Sequence, residues 1–143
     1  MLLGTYTVTF SSKHRVAIPS QFRKDLGEKF ILAKWYEECL VLVSNDFWKA
    51  LWQRLTGGEK IIVSQIRDTE RFIMASAYEM ELDDQGRIVI PEKLVSYAGL
   101  TTGVSFLGIG DRVEIWDETK WAVKEKLLIS EAPKLINELA NER

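Results

Sequence analysis

Phe10-Ser11-Ser12-Lys13-His14-Arg15-Val16-Ala17-Ile18-Pro19 is written a second time, in altered letters, as Leu82-Asp83-Asp84-Gln85-Gly86-Arg87-Ile88-Val89-Ile90-Pro91. Arg15 and Arg87 are 72 positions apart, as are Tyr6 and Tyr78, Ile18 and Ile90, Pro19 and Pro91, and Gly27 and Gly99. One offset held without a gap from Tyr6 to Gly99 marks an internal duplication.

Each copy reads as the same small machine. Tyr6, Val8 and Phe10 alternate with Thr5, Thr7 and Thr9, the period of a half-buried strand, and Tyr78, Met80 and Leu82 alternate with Glu79 and Glu81 in the same way. Four turn-prone residues follow, and then Val16 and Ile18, or Ile88 and Ile90, resume an inward face. Proline then suits the start of a helix, because its φ is preset and its missing N–H is one that a first turn leaves unbonded. Phe22 and Leu26 lie on one helical face before Gly27, and Leu94 and Ala98 before Gly99. Each half is therefore predicted to present a tight loop carrying an arginine at the mouth of a hairpin.

The pattern resembles Asp-x-Lys-Gly-Arg followed by hydrophobic-x-Ile-Pro, written twice in a chain of this length, and it is similar to the MraZ family of bacterial regulators. Ile115-Trp116 before Trp121, and Leu42-Val43 before Trp48, resemble that family's strand-to-helix junctions. The resemblance implies an α+β fold of two tandem AbrB-like (SpoVT-AbrB) swapped-hairpin repeats sharing one pseudo-twofold core. Its expected boundaries are 5–48 and 77–121 for the repeats, 49–76 for connecting helices and 122–143 for a helical tail. It also implies a ring-like homo-oligomer that binds double-stranded promoter DNA at short repeated boxes, regulating a division and cell-wall gene cluster. Two positions depart from the pattern: Ser11 replaces the aspartate and His14 the glycine.

Charge separates the copies. The whole chain carries −2, but residues 5–29 hold Lys13, Arg15, Arg23, Lys24 and Lys29 against Asp25 and Glu28, a net of +3. Residues 77–101 hold Arg87 and Lys93 against Glu79, Glu81, Asp83, Asp84 and Glu92, a net of −3. A net anion is not what nucleic acid attracts, so the distribution rather than the total points to it. The single cysteine, Cys39, lies in the apolar run Cys39–Val43 and reads as a buried, unreactive thiol. The first residues lack a basic region followed by a long apolar core, and no apolar run approaches the ~20 residues of a membrane span. A cytosolic, nucleoid-associated protein with no membrane partner is expected.

Elsewhere, Phe30–Ala33 and Cys39–Val43 read as a hairpin across Lys34–Glu38, and Ser44 caps a helix from Asn45 to about Leu55. Its Phe47, Leu51 and Leu55 stripe, with Trp48 and Trp52 beside it, suits a core or subunit interface better than a cofactor site. Thr56-Gly57-Gly58 reads as the linker between the halves, and Glu59 to Ala75 as a second helix with Ile62, Ile66 and Ile73 inward, with strand an alternative for Ile61–Val63. Arg67 and Arg71 face solvent and pair with Asp68 or Glu70 in the simplest reading. In the second copy Val104–Leu107 and Val113–Trp116 pair through a turn at Gly108-Ile109-Gly110-Asp111, which excludes a nucleotide-binding glycine motif. Asp117 caps a helix, and from Ser130 a tail repeats Ala132, Leu135, Ile136 and Leu139 at helical spacing.

Catalysis lacks a constellation. His14 is the only histidine and suits a left-handed turn residue, Asp83 suits turn stabilisation, as do Ser11 and Gly86, and no metal set or cofactor motif is present. An enzyme acting on a small-molecule substrate is therefore not expected. DNA contact has a mechanism: a loop arginine can donate to guanine O6 and N7 while neighbouring cations meet phosphates. Lys13 and Arg15 in the loop, Arg23 and Lys24 on the helix, and Arg87 in the second loop are the candidates. For Arg87, pairing with Asp83 or Asp84 stands beside DNA contact, and its acidic loop is expected to sit away from the duplex or to support the first from behind. The alternative function is an oligomeric protein-interaction module with little or no DNA binding.

Overall fold

The computed structural model describes residues 1–57 and 64–142. Gly58 of the expected linker, the first turn of the expected connecting helix with Ile62, and the alternative strand Ile61–Val63 lie outside the described residues. Elsewhere the fold is α+β. In chain order the elements are β1 (Leu2–Thr9), β2 (Arg15–Ala17), α1 (Ser20–Leu26), β3 (Lys29–Lys34), β4 (Leu40–Ser44), α2 (Asn45–Thr56), α3 (Ser64–Ile73), β5 (Tyr78–Glu81), β6 (Arg87–Val89), α4 (Glu92–Ala98), β7 (Gly103–Gly110), β8 (Val113–Asp117) and α5 (Glu118–Asn141).

Six strands form one antiparallel sheet in the order β1-β7-β8-β4-β3-β5, and β2 and β6 form a separate two-stranded ribbon. The first strand of each copy pairs with the hairpin of the other: β1 lies on β7, and β5 on β3. Exchanging the copies element for element reverses the order of the sheet and leaves it otherwise unchanged. The hairpins β3–β4 and β7–β8 meet at its centre, where Leu40 faces Ile115 and Leu42 faces Val113.

Both faces of the sheet are covered, so the central runs Phe30–Ala33 and Leu40–Val43 are apolar throughout rather than alternating. On one face Phe30, Leu32, Leu40, Leu42, Phe106 and Ile115 pack with Phe22 and Leu26 of α1, Leu94 and Ala98 of α4, and Val16 and Ile88 of the ribbon. On the other, Ile31, Ala33, Val41, Val43 and Trp116 pack with Ile73, with Phe47, Trp48 and Leu51 of α2 and with Trp121 of α5. Phe47, Trp48 and Leu51 of α2 are thus partly buried against this core, while Trp52 is half exposed. Cys39 is buried, and desolvation, the largest effect, together with Glu114 and Glu37 pushes its thiol far above the ordinary range. It is inert, as its setting predicts. Ser44 caps α2 by accepting from the Phe47 N–H at 3.1 Å, and Asp117 caps α5 by accepting from the Lys120 N–H at 3.3 Å.

Three expectations need correction. Gly108 and Gly110 belong to β7, not to a turn, and β1 begins at Leu2 to pair with them. A Cβ on Gly108 would run into the Leu2–Leu3 backbone, so the glycine marks close strand approach rather than chain reversal. The helix after Asp117 does not stop for a separate tail at Ser130. It continues through Ser130 and Pro133 to Asn141, and its residues from Ile129 onward are exposed except Ala132. Tyr78, expected to face inward, is 40% exposed because β5 is an edge strand that meets only β3.

Because β1 finds its sheet partner only in β7, and β4 loses β8 when the halves are parted, neither half keeps a closed core. Residues 1–56 expressed alone are expected to show no cooperative thermal transition by circular dichroism. A sigmoidal melt of that fragment would contradict the shared core.

Candidate nucleic-acid interface

The ribbon is built by two loops that repeat each other bond for bond. In the first, Ser11 N–H donates to Arg15 O at 3.2 Å, His14 N–H to Ser11 O at 3.0 Å, and Arg15 N–H to Ser11 Oγ at 3.1 Å. In the second, Asp83 N–H donates to Arg87 O at 2.9 Å, Gly86 N–H to Asp83 O at 3.0 Å, and Arg87 N–H to Asp83 Oδ1 at 2.9 Å. The loops then close on each other. Ile18 N–H donates to Gly86 O at 3.0 Å and Ile90 N–H to His14 O at 2.8 Å. His14 and Gly86 both take positive φ, 60° and 74°. The His14 ring lies parallel to Phe10 at 5.5 Å, which anchors the first turn where the second has no side chain.

Pairing sets which side chains face out. Arg15 is opposite Val89, Val16 opposite Ile88, and Ala17 opposite Arg87. Directly opposed residues share a face, so Val16 and Ile88 go into the core while Arg15, Ala17, Arg87 and Val89 form the outer face. The two arginines occupy one diagonal of that face, where β-carbons stand roughly 7–8 Å apart. The second loop lies beside the first in one ribbon. Backbone pairing joins the loops whatever charge each carries.

What separates the arginines is their partner. Asp83 has two oxygens: Oδ1 accepts from the N–H groups of Gln85 and Arg87, both at 2.9 Å, and Oδ2 accepts from Arg87 Nε at 3.1 Å. The Arg87 backbone N–H, above all, holds the Asp83 carboxyl below its ordinary pKa against some desolvation, and the Gln85 N–H and Arg87 side chain add to this. Ser11 has one oxygen, already used by the Arg15 N–H, and no charge. Among the described residues the guanidinium of Arg15 has no hydrogen bond or ion pair, and the same holds for the ammonium of the exposed Lys13.

The cations of α1 divide. Lys24 is exposed, and its neighbour Asp25 is bound by the N-terminal ammonium of Met1 at 2.8 Å. That contact, the largest effect on Asp25, lowers its pKa. Arg23 turns inward: its Nε donates to Ile18 O at 2.9 Å, and its guanidinium occupies the space where Gly86 would carry a Cβ. Sequence reasoning set Arg23 beside Lys24 as a phosphate ligand and missed this strut between the copies. The only signal for it was the absence of a side chain at Gly86. Among the described residues no group of three or more His, Cys, Asp or Glu could hold a metal ion.

A methyl group at Gly86 meets both a left-handed backbone and the Arg23 guanidinium. Gly86→Ala is expected to destabilise the protein by roughly 1–3 kcal/mol from the strained φ and the displaced arginine together. In an Arg23→Ala background the same substitution should cost less, since only the strain remains. Denaturant melts of the four proteins in that cycle measure the difference, and equal costs in both backgrounds would remove Arg23 from the account.

A family model for MraZ protein, described as putative antitoxin-like, matches residues 1–60 and 73–137. The chain is 43% identical over 124 residues to the transcriptional regulator MraZ of Leuconostoc citreum, covering 85% of this chain and 84% of that one. It is 44% identical over 121 residues to the transcriptional regulator MraZ of Acetivibrio thermocellus, with the same coverage of each chain. The MraZ protein of Caldanaerobacter subterraneus is 43% identical over 121 residues. The match spans both copies of the loop, the ribbon they build and the sheet beneath it, and the chain belongs to the MraZ family of transcriptional regulators, which are not enzymes.

Proposed function

We propose that the chain is a sequence-specific DNA-binding regulator whose reading element is the outer face of the β2–β6 ribbon. The observation that carries this is an Arg15 guanidinium unpaired among the described residues, on a backbone locked by two reciprocal hydrogen bonds. A two-stranded ribbon fits the major groove, and arginine is the side chain best suited to guanine there. The diagonal between Arg15 and Arg87 matches about two base-pair steps of ~3.4 Å. Lys13 and Lys24 would engage phosphates beside it, with Arg23 holding the ribbon in register and Ser11, His14, Asp83 and Gly86 shaping the turns.

In the same reading residues 5–48 and 77–121 are two AbrB-like swapped-hairpin units, joined by 49–76, and 122–143 serve assembly. The crossed pairing of β1 and β5 supports the units. Support for a ring-like homo-oligomer comes from α5, where Val123, Leu127, Ile129, Leu135, Ile136 and Leu139 leave apolar surface exposed. A ring repeats one small patch at fixed spacing, and linked contacts raise affinity by ~10²–10⁴ when geometry permits. Repeated promoter boxes ahead of division and cell-wall genes, and a cytoplasmic, nucleoid-associated location, complete the proposal. The second reading, a protein-interaction module, rests on that same exposed helix and is distinguished by DNA affinity.

Titration of wild type on operator and random duplexes across a salt series tests the function, and equal affinity for both would reject it. Arg15→Ala should cost roughly 1–3 kcal/mol per contact and relax sequence preference. Lys13→Ala should weaken binding to every sequence and flatten its salt dependence. Arg87→Ala should cost less DNA affinity than Arg15→Ala and more melting temperature, because it removes the Arg87 Nε from Asp83 Oδ2. Equal DNA defects with no loss of stability in either would overturn the division of labour. Light scattering is expected to show an oligomer that Leu135→Glu and Leu139→Glu together dissociate; a monomeric wild type at working concentration would reject assembly.

A further inference from the structure

A cleft that includes no residue of the ribbon lies where the segment joining the copies meets α4. Lys34 at the end of β3, Arg71 and Phe72 of α3, Ser76, Tyr78 and Lys93 line a cleft of about 240 Å³. A shallower shelf of about 580 Å³ shares Lys34 and Lys93 and runs on past Glu92 to Tyr97. The first copy, the connector and the second copy each supply a cation.

The chemistry is of two kinds in one place. Among the described residues neither Lys34 nor Lys93 has a carboxylate within ion-pair distance, although Glu92 shares the shelf. Among the described residues Arg71 is held only by Asp68 at 2.8 Å, a solvent-exposed pair that a stronger anion can displace. Around these cations stand aromatic rings. Tyr97 is fixed by donating to Trp35 O at 2.7 Å, lies 5.1 Å below Lys34 Nζ, and meets Phe72 edge-on at 5.8 Å. Phe72 and Tyr78 both keep exposed surface at the cleft.

We infer that this cleft binds a nucleoside phosphate, its planar base against Phe72 and Tyr78 and its phosphate among Lys34, Arg71 and Lys93. A bare phosphate would use the cations and leave the rings in water, and a neutral base would do the reverse. Only a molecule carrying both uses the whole lining, as sites with an apolar wall and a few convergent polar groups do. The ligand bridges three segments of the native fold that unfolding scatters, so its binding raises the melting temperature. The inference is independent of DNA recognition, since no residue of the ribbon takes part.

The test is calorimetric titration of the full chain with AMP, GMP, CMP and UMP, with inorganic phosphate and adenosine as partial ligands. At least one nucleotide is expected to saturate and to raise the melting temperature, with phosphate and adenosine each at least tenfold weaker. Lys34→Gln with Lys93→Gln should weaken the nucleotide at least tenfold, and Lys34→Arg with Lys93→Arg should retain it. Phe72→Leu should weaken the nucleotide several-fold and leave phosphate unchanged. No saturation by any of the four at millimolar concentration would overturn the inference, as would an affinity unchanged by the Lys→Gln pair. Phosphate binding as tightly as the nucleotides would reduce the cleft to an ion site. Loss of DNA affinity in the Lys→Gln pair, with no nucleotide bound by wild type, would make it a track for the duplex backbone instead.

Discussion

Two hydrogen bonds, Ile18 N–H to Gly86 O and Ile90 N–H to His14 O, hold the molecule's organisation in miniature. Each takes a donor from just before one proline and an acceptor from the other copy's turn. They can form only if both turns are left-handed at His14 and Gly86, which ties backbone conformation in one copy to pairing in the other. The ribbon they close buries Val16 and Ile88 beneath it, so its outer face follows from its inner one. A slip of one residue in either strand would turn that strand's arginine inward and its buried aliphatic residue out, at a cost no small ribbon could bear.

Much of this was legible because the deciding forces are local. Alternation placed Val8, Phe10, Met80 and Leu82 against the core, and the spacing of Phe22 with Leu26 found the buried face of a seven-residue helix. Periodicity says which way a residue faces but not what it faces. That β1 would choose β7, and β5 would choose β3, is a choice among partners of equal local merit, settled by the joint burial of both hairpins. Glycine carried the same ambiguity. At Gly99 it ends a helix in a left-handed conformation, but at Gly108 it admits a neighbouring backbone, and nothing within a few residues distinguishes the two uses. Arg23 went unread because its reason lies far along the chain, in the empty space above Gly86.

Electrostatics at the candidate site follow from atoms rather than totals. The chain is net anionic, yet among the described residues Arg15 and Lys13 stand uncompensated, while Arg87 in the acidic copy is held by a carboxylate. The contrast comes from one side chain in each loop. A hydroxyl satisfies the turn and stops there, whereas a carboxylate satisfies the same turn and has an oxygen left for the arginine. The backbone-to-backbone bonds of the two loops are indifferent to the exchange and match one for one.

The crossed sheet has a consequence for how such a molecule can change. In a dimer of identical chains with this topology, every substitution would be expressed twice, once on each side of the axis. A residue good for one side and harmful to the other would be lost. Here the two sides are separate stretches of one chain, so Ser11 and Asp83 could part ways, as could His14 and Gly86, each tried once. What meets between the copies remains bound to change together, and in the two bonds that close the ribbon those atoms are backbone. Carrying both copies in one chain keeps the frame's pairing while letting the two surfaces differ.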